Sequence, residues 1–246
     1  MISSSPRRIS PEARFSLMLA HFAFTTPPQP RPHSVLCRIL DGRELDEVCP
    51  LDLALLTPEE RAHYHAAYRA PGALALAVRS RAELRWMLSR EIGLPPNKVP
   101  IAPDRHGKPR CTHPVAADLD FSVSRAGECA IIALGEATGV GVDVEEVIDE
   151  EPSDENLAIV FNETEFQAWA CLPADQRRKS FTQAWTIKEA ALKASGMGLD
   201  GDVHEITVRF DEAGNAVPIL PSSRWIFERL EFCPSYAASF MAVTAG

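Results

Sequence analysis

The chain has 246 residues, of which 46% are hydrophobic and 24% charged, and its formal net charge at pH 7 is -9. This length allows one large domain or two small ones that each bury their own core. The negative charge argues against a nucleic-acid binder, because contacts to a phosphate backbone require clustered lysine and arginine. An anionic ligand would have to meet basic residues that are gathered locally.

The cysteines and the N-terminal segment bear on where the protein works. Six cysteines without a C-x-x-C pair are typical of reduced, mostly buried thiols in a cytoplasmic protein. Residues 1–32 are rich in Pro, Ser and Arg, which favours a flexible N-terminal extension. A secretion signal is the alternative, but Glu12 precedes and His21 interrupts the apolar run that it would need. No run reaches the roughly 20 apolar residues of a membrane helix, so we expect a soluble protein.

The predicted elements of the first half, in chain order, are a strand over 33–40, a helix start at 57–60, a long helix over 78–92, a turn at 104–109, and strands over 120–123 and 129–134. At the helix start Thr57 is the N-cap, Pro58 takes the first helical position and Glu60 completes a capping box. Gly93 is expected to end the long helix.

The predicted elements of the second half are a strand over 140–144, a helix start at 162–165, a long helix over 175–194 stopped by Gly196, and strands over 205–210, 225–232 and 236–243. Each half therefore contains one long helix and several strands. This order predicts an α+β protein of two similar lobes, 33–138 and 139–246, in each of which a long helix packs on a small, mostly antiparallel sheet. The pseudo-two-fold arrangement is inferred from element order alone, since the halves share no clear sequence repeat.

Two carboxylates stand at alternate positions of the strand that opens the second half, within the segment G-V-G-V-D-V-E. Asp143 and Glu145 project to one face of the strand, while Val142 and Val144 face the other way. Neighbouring carboxylates repel each other unless a cation or a proton lies between them, and Mg²⁺ is the natural guest. The alternative is a solvated strand end that continues into the acidic stretch 145–151.

A second candidate group lies on the second long helix, in W-T-I-K-E-A-A-L-K. Trp185, Glu189 and Lys193 are four residues apart and hence lie along one helix face. They are either an exposed Glu–Lys pair of little consequence, or a third metal-binding carboxylate with a lysine one turn further on to hold a phosphate.

Together the two segments resemble the 4′-phosphopantetheinyl transferases. That family has a G-[VI]-D-[VI]-E strand followed by W-[ST]-x-K-E and G-x-G-L, and this chain has both parts in order. Gly107-Lys108-Pro109 is similar to its G-K-P turn, and Phe121–Ser124 resembles its F-N-x-S strand. Over residues 50–245 the design looks like the monomeric, two-lobe surfactin-synthetase-activating type. The resemblance implies an active site between the lobes and transfer of phosphopantetheine from coenzyme A to a serine of an apo acyl or peptidyl carrier protein.

The resemblance also implies the roles of individual residues. Asp143, Glu145 and Glu189 would bind the Mg²⁺ that grips the coenzyme A pyrophosphate, and Glu189, or a water held by the carboxylates, would be the general base. Lys193 would neutralise the pyrophosphate. Three further roles follow the same pattern: phosphate binding at the lobe interface by Lys108, a contact to the nucleotide by Ser124, and a contact to the 3′-phosphate by Arg125.

The chain departs from the family pattern in its basic residues. Arg125 stands where the family usually has His, and arginine can bind phosphate through its planar fork. The family also has an arginine in the helix before the G-K-P turn. Here Arg69, Arg79 or Arg81 would have to substitute for it.

These departures leave two alternatives to a transferase. One is a non-catalytic homologue that binds coenzyme A or a carrier protein, and the other is a Mg²⁺-dependent phosphohydrolase. We expect a monomer that binds coenzyme A and a carrier protein, with no nucleic-acid or membrane partner.

Overall fold

The computed structural model of the protein describes residues 35–197 and 201–244. The predicted extension 1–32 lies outside the described residues, as do Gly198 and Leu199 of the G-x-G-L motif. Within these ranges no helix is long and apolar enough to cross a membrane. By their backbone contacts, residues 35–246 form one compact unit.

The first half of that unit, residues 35–136, contains three helices and five strands among its described elements. In chain order they are β1 (Val35–Asp41), α1 (Pro50–Leu55), α2 (Pro58–Ala67), α3 (Pro71–Ile92), β2 (Ile101–Pro103), β3 (Pro109–Cys111), β4 (Leu119–Ala126) and β5 (Cys129–Glu136).

The second half, residues 139–244, has the same order of described elements. They are β6 (Gly139–Glu146), α4 (Asp154–Val160), α5 (Glu163–Ala170), α6 (Ala174–Ser195), β7 (Thr207–Phe210), β8 (Ala216–Ile219), β9 (Trp225–Arg229) and β10 (Tyr236–Val243).

The two halves also share their sheet topology. The three-stranded sheets have the orders β1-β5-β4 and β6-β10-β9, so the first strand of each half pairs with its last. The hairpins β2-β3 and β7-β8 correspond in the same way, and the described strand pairs are antiparallel. The predicted α+β class with two similar lobes is confirmed. The division at residue 139 remains our proposal, because the backbone contacts join both halves in one unit.

The helix ends follow the predicted local rules. The predicted capping box from Thr57 to Glu60 is present, and the helix start predicted at 162–165 has a second one, from Asn162 to Glu165. Both long helices are followed by a left-handed glycine, Gly93 with φ 73° and Gly196 with φ 74°. The start of α3 was predicted seven residues too late, because Pro71 takes the first helical turn, where its missing N–H costs nothing.

Each half contains a buried ion pair at the same place. In the first half Glu60 of the capping box contacts Arg85 of α3, and in the second half Glu165 of the capping box contacts Lys188 of α6. Arg85 and Lys188 each lie fourteen residues after the first residue of their helix. The Arg85 side chain is 1% exposed and the Lys188 side chain 0%. These pairs tie the short helix of each half to the middle of its long helix.

The two sheets face each other across an apolar layer. Its buried residues come mainly from the centre of each sheet and are Cys129, Ile131, Ala133, Val140, Val142, Val144, Ala238, Phe240 and Ala242. Cys129 is the only buried cysteine of the six, and Cys171 is exposed, so the expectation of mostly buried thiols is wrong. All six are free thiols, as predicted.

At one side of this layer, side chains of β4 bind the edge strand β6. Val140 N donates to Asp120 Oδ2 at 2.7 Å, and Val142 N donates to the Ser122 hydroxyl at 3.1 Å. The N–H groups of an edge strand need partners, and here alternate side chains of a strand from the other sheet provide them. This ladder of hydrogen bonds fixes β6 against the first half.

Candidate active site

Two glycines let helix α6 lie directly on strand β6. Gly139 and Gly141 share the strand face of Asp143 and Glu145. A Cβ atom on Gly141 would lie 1.8 Å from the Ala190 carbonyl oxygen, and one on Gly139 would be about equally close to α6. Only residues without a side chain permit this approach. The glycines of the G-V-G-V-D-V-E segment thus bring the helix to the carboxylates.

Helix α6 is buried along most of its length except for one narrow stripe of half-buried residues. From Ser180 to Ala194 every residue is buried except Trp185, Glu189 and Lys193, which are half-buried. These are the three residues that the sequence predicts on one face. The stripe runs along the side of the helix that meets the carboxylate face of β6.

Asp143 is the centre of the site and is 2% exposed. Its Oδ1 accepts hydrogen bonds from the Lys193 ammonium at 2.6 Å and from the Ser124 hydroxyl at 2.7 Å. Its Oδ2 is buried and has no hydrogen-bond partner in the described part of the chain. A buried carboxylate oxygen without a partner is costly, so this atom calls for a ligand.

Glu145 and Glu189 are both half-buried close to this aspartate. Burial raises the pKa of Glu145, the negative charge of Asp143 raises it further, and a hydrogen bond from the Trp185 side chain acts in the opposite direction. Burial and the charge of Asp143 also raise the pKa of Glu189, while Lys193 opposes the shift. The three carboxylates therefore interact with one another. The reading of residue 143 as part of a solvated strand end is wrong, because Asp143 is buried.

The donor set fits a hard divalent cation in its chemistry. Carboxylate oxygens are the ligands that Mg²⁺ prefers, and Asp143 Oδ2 is available to bind one. However, within residues 35–197 and 201–244 no three Asp, Glu, His or Cys side chains already stand close enough to hold a metal. The Lys193 ammonium instead balances the charge of Asp143.

A cavity of about 510 Å³ is lined in part by Lys193, whose ammonium contacts Asp143. It is lined mainly by the first half, and the second half contributes Lys193 and Gly196. The charged lining residues within the described chain are basic, with Arg81, Lys108 and Arg125 beside Lys193. A protein of formal net charge -9 thus gathers basic groups around one cavity, as an anionic ligand requires.

Arg125 is held in this cavity by residues of α3 and by the end of α2. Its guanidinium donates to the Ser80 hydroxyl at 3.0 Å and to the Tyr68 hydroxyl at 3.3 Å. It also lies 6.0 Å from the ring centroids of Tyr64 and Tyr68. These contacts hold the guanidinium in one orientation. The two tyrosines and Ser80 were missed in the sequence, where nothing marks them as neighbours of residue 125.

The three alternative arginines differ in where the structure places them. Arg81 lines the cavity and is bound to Glu60 at 2.7 Å. Arg79 contacts Asp52 at 3.0 Å and does not line the cavity. Arg69 is exposed and also lies outside the lining. Of the three, Arg81 alone is in a position to meet a ligand there.

Two residues that the sequence predicts at the ligand make contacts within the chain. All three N–H donors of the Lys108 ammonium already have acceptors, namely Asp120 Oδ2 at 2.6 Å and the carbonyl oxygens of Val140 and Lys193 at 2.8 Å each. None remains for a phosphate. The Ser124 side chain is buried and its hydroxyl donates to Asp143 Oδ1, which orients that carboxylate. Nothing in the sequence indicates that Asp120 is the partner of Lys108.

Comparisons with known proteins show which family the chain resembles. Residues 139–240 match the model of the 4′-phosphopantetheinyl transferase superfamily. The chain is 29% identical over 169 residues to a relative from Synechocystis sp., covering 65% of this chain and 67% of the relative. It is 29% identical over 141 residues to the 4′-phosphopantetheinyl transferase psf-1 of Bacillus pumilus, covering 56% and 57%.

Two further matches are more distant. The 4′-phosphopantetheinyl transferase Sfp of Bacillus subtilis is 27% identical over 141 residues, covering 57% of this chain and 60% of the relative. A holo-(acyl-carrier-protein) synthase from Bacillus anthracis, solved in complex with CoA (3′,5′-ADP), is 23% identical, with a TM-score of 0.36 over 44% of this chain and 97% of that one. A TM-score this low carries no argument about the fold.

The matched region spans between 57% and 67% of the length of the three curated relatives. These matches confirm the predicted resemblance to the 4′-phosphopantetheinyl transferase superfamily.

Proposed function

We propose that the protein transfers the 4′-phosphopantetheine arm of coenzyme A to a serine of an apo acyl or peptidyl carrier protein in a Mg²⁺-dependent reaction that releases adenosine 3′,5′-bisphosphate. The observation that carries this proposal is that Lys193 belongs both to a basic cavity and to a group of three interacting carboxylates. Lys193 lines the cavity, and its ammonium contacts Asp143. Cleavage of a phosphoanhydride uses both features, since cations bind the phosphates and carboxylates bind the metal.

The residues of the second half would carry the chemistry. Asp143, Glu145 and Glu189 would bind Mg²⁺, which when bound acts as a Lewis acid toward the pyrophosphate. Glu189 would take the proton of the attacking serine hydroxyl onto a carboxylate oxygen, either directly or through a water, because its raised pKa makes it a better base than an ordinary glutamate. Lys193 would turn from Asp143 to the pyrophosphate.

The residues of the first half would bind the nucleotide end of coenzyme A. Arg125 and Arg81 would meet its phosphate groups in the cavity, with Arg125 oriented by Tyr68 and Ser80. We propose that the protein acts as a monomer, because both halves of one chain supply the cavity, and in the cytoplasm, where six free thiols are stable.

The experiment that tests this function is the intact mass of an apo carrier protein after incubation with the protein, coenzyme A and Mg²⁺. We expect a gain of about 340 Da that is lost with EDTA. Asp143→Ala and Glu189→Gln should each lower the rate by about a thousandfold or more, since they remove a metal ligand. Glu150→Gln, which removes an exposed charge from the adjacent acidic stretch, is the matched control and should leave the rate unchanged. Wild-type rates in both site variants would refute the metal assignment.

The same assay separates the alternatives. Coenzyme A binding without transfer to acyl or peptidyl carriers would indicate the non-catalytic homologue. Release of phosphopantetheine to water without a carrier would indicate the phosphohydrolase.

A second variant tests the cavity. Arg125→Ala should raise KM for coenzyme A by about tenfold or more, because a charge-assisted hydrogen bond to phosphate is lost, while KM for 3′-dephospho-coenzyme A should change little. Arg79→Ala, on the same helix as Ser80 but outside the cavity, is the control. Equal effects of Arg125→Ala on both substrates would place the 3′-phosphate elsewhere.

A further inference from the structure

We infer that Lys108 is a positioning residue that acts through Lys193 and strand β6, and that it does not bind the substrate. This inference rests on the proposed function in one respect only, since its effect on catalysis requires that the protein catalyse the transfer. The structural part stands on the contacts of Lys108 itself.

The Lys108 ammonium joins three elements of the molecule. Its acceptors are Asp120 on β4, the carbonyl oxygen of Val140 on β6, and the carbonyl oxygen of Lys193 in the last turn of α6. The Lys108 side chain is 10% exposed and that of Asp120 is 2% exposed. We call Lys108 and Asp120 the lysine clamp.

Asp120 is saturated by donors, which keeps the clamp in one geometry. Its Oδ2 accepts from Lys108 at 2.6 Å and from Val140 N at 2.7 Å. Its Oδ1 accepts from its neighbour Phe121 N at 2.8 Å and from the guanidinium of Arg110. A buried carboxylate with four donors is held in one orientation. The Lys108 ammonium is therefore attached to a rigid point of the first half.

At its other end the clamp acts on the C-terminus of α6. The last four carbonyls of a helix lack partners within the helix, and Lys193 O is one of them because α6 ends at Ser195. A cation at this position satisfies the carbonyl and complements the helix dipole. The same residue, Lys193, sends its side chain to Asp143 at 2.6 Å. The clamp thus fixes the backbone from which that ammonium projects.

The clamp also fixes the start of the carboxylate strand. Val140 is held from both sides, because its N–H donates to Asp120 and its carbonyl accepts from Lys108. Asp143 follows three residues later on β6. A single buried lysine therefore sets the spacing between the backbone that carries Lys193 and the backbone that carries Asp143.

The first test measures hydrogen exchange of the free protein without coenzyme A. In Lys108→Met, the amides of 190–197 and 139–143 should exchange about tenfold faster or more, because a carbonyl partner is lost at both places. Lys179→Met is the matched control, since it makes the same substitution at an exposed lysine near the start of α6, away from Asp120, Val140 and Lys193. It should leave these amides nearly unchanged. Equal exchange in both variants would overturn the clamp, because a phosphate-binding lysine has no effect in the absence of phosphate.

The second test measures transfer to an apo carrier protein. Lys108→Met should lower kcat by about tenfold or more, the cost of a misplaced catalytic group, and Lys179→Met by less than about threefold. Faster exchange with an unchanged kcat would refute the positioning role. Absence of transfer by the wild-type protein would refute the proposed function, while the exchange result would still decide the clamp. If Lys108→Met does not fold, Lys108→Gln, which keeps amide donors, should show the same effects in weaker form.

Discussion

The two halves of the molecule share their element order, their sheet topology and their buried ion pair, yet they differ in how the long helix meets its sheet. Helix α6 packs on both β6 and β10, whereas α3 packs mainly on β5. The close approach in the second half depends on Gly139 and Gly141, and β1, the counterpart of β6, has no glycine. The features that both halves share therefore stabilise the fold. The glycines that let α6 approach β6 are found in the second half and create the carboxylate site.

The largest expected effect is on the buried ion pairs. Lys188→Met should lower the free energy of unfolding by about 3–5 kcal/mol, since it leaves the Glu165 charge buried without a cation. Arg85→Met should cost less, because Glu60 keeps its contact with Arg81 and is more exposed. Urea denaturation measures both, with the exposed Lys179→Met as the control. A larger loss of stability in Arg85→Met than in Lys188→Met would contradict this prediction.

The next effect concerns the glycines that distinguish the halves. Gly141→Ala should lower the free energy of unfolding by about 1–3 kcal/mol, because a backbone carbonyl stands where its Cβ would lie. It should also reduce transfer strongly, since α6 carries Glu189 and Lys193. Gly72→Ala, on the first turn of α3, is the control and should change stability by no more than about 1 kcal/mol. Full activity in Gly141→Ala would show that the site does not depend on the close contact between α6 and β6.

The smallest effect is a difference in thiol reactivity. Burial, with the charge of Glu228, raises the pKa of Cys37 from 9.0 to about 11, and burial raises that of Cys129 to about 11 as well. A raised pKa means less thiolate, so at pH 8 these two cysteines of the layer between the sheets should react about a hundredfold more slowly than an ordinary thiol. The exposed Cys171 is the internal control in alkylation followed by peptide mass mapping. Equal labelling would mean that the halves separate readily.

Local patterns predicted much of this molecule. The capping box at Thr57, the helix start at 162–165, the helix ends before Gly93 and Gly196, and the common face of Asp143 and Glu145 all depend on neighbours within a few residues. The contacts that were missed join distant parts of the chain. Lys108 meets the carbonyl of a residue 85 positions away, and Arg79 meets Asp52 across 27. Residue spacing carries no information about such pairs, so the sequence could not predict that Lys108 contacts the Asp120 carboxylate of the same chain.

The ladder from β4 to β6 has a consequence for dissecting the protein. The second half contains all three carboxylates, which suggests that it could be expressed alone as a minimal catalyst. Without Asp120 and Ser122, however, the N–H groups of Val140 and Val142 would stand open along a sheet edge. Open edges recruit strands from other molecules. The isolated second half should therefore self-associate through β6, the strand that bears Asp143. In the intact chain the first half prevents this by covering that edge.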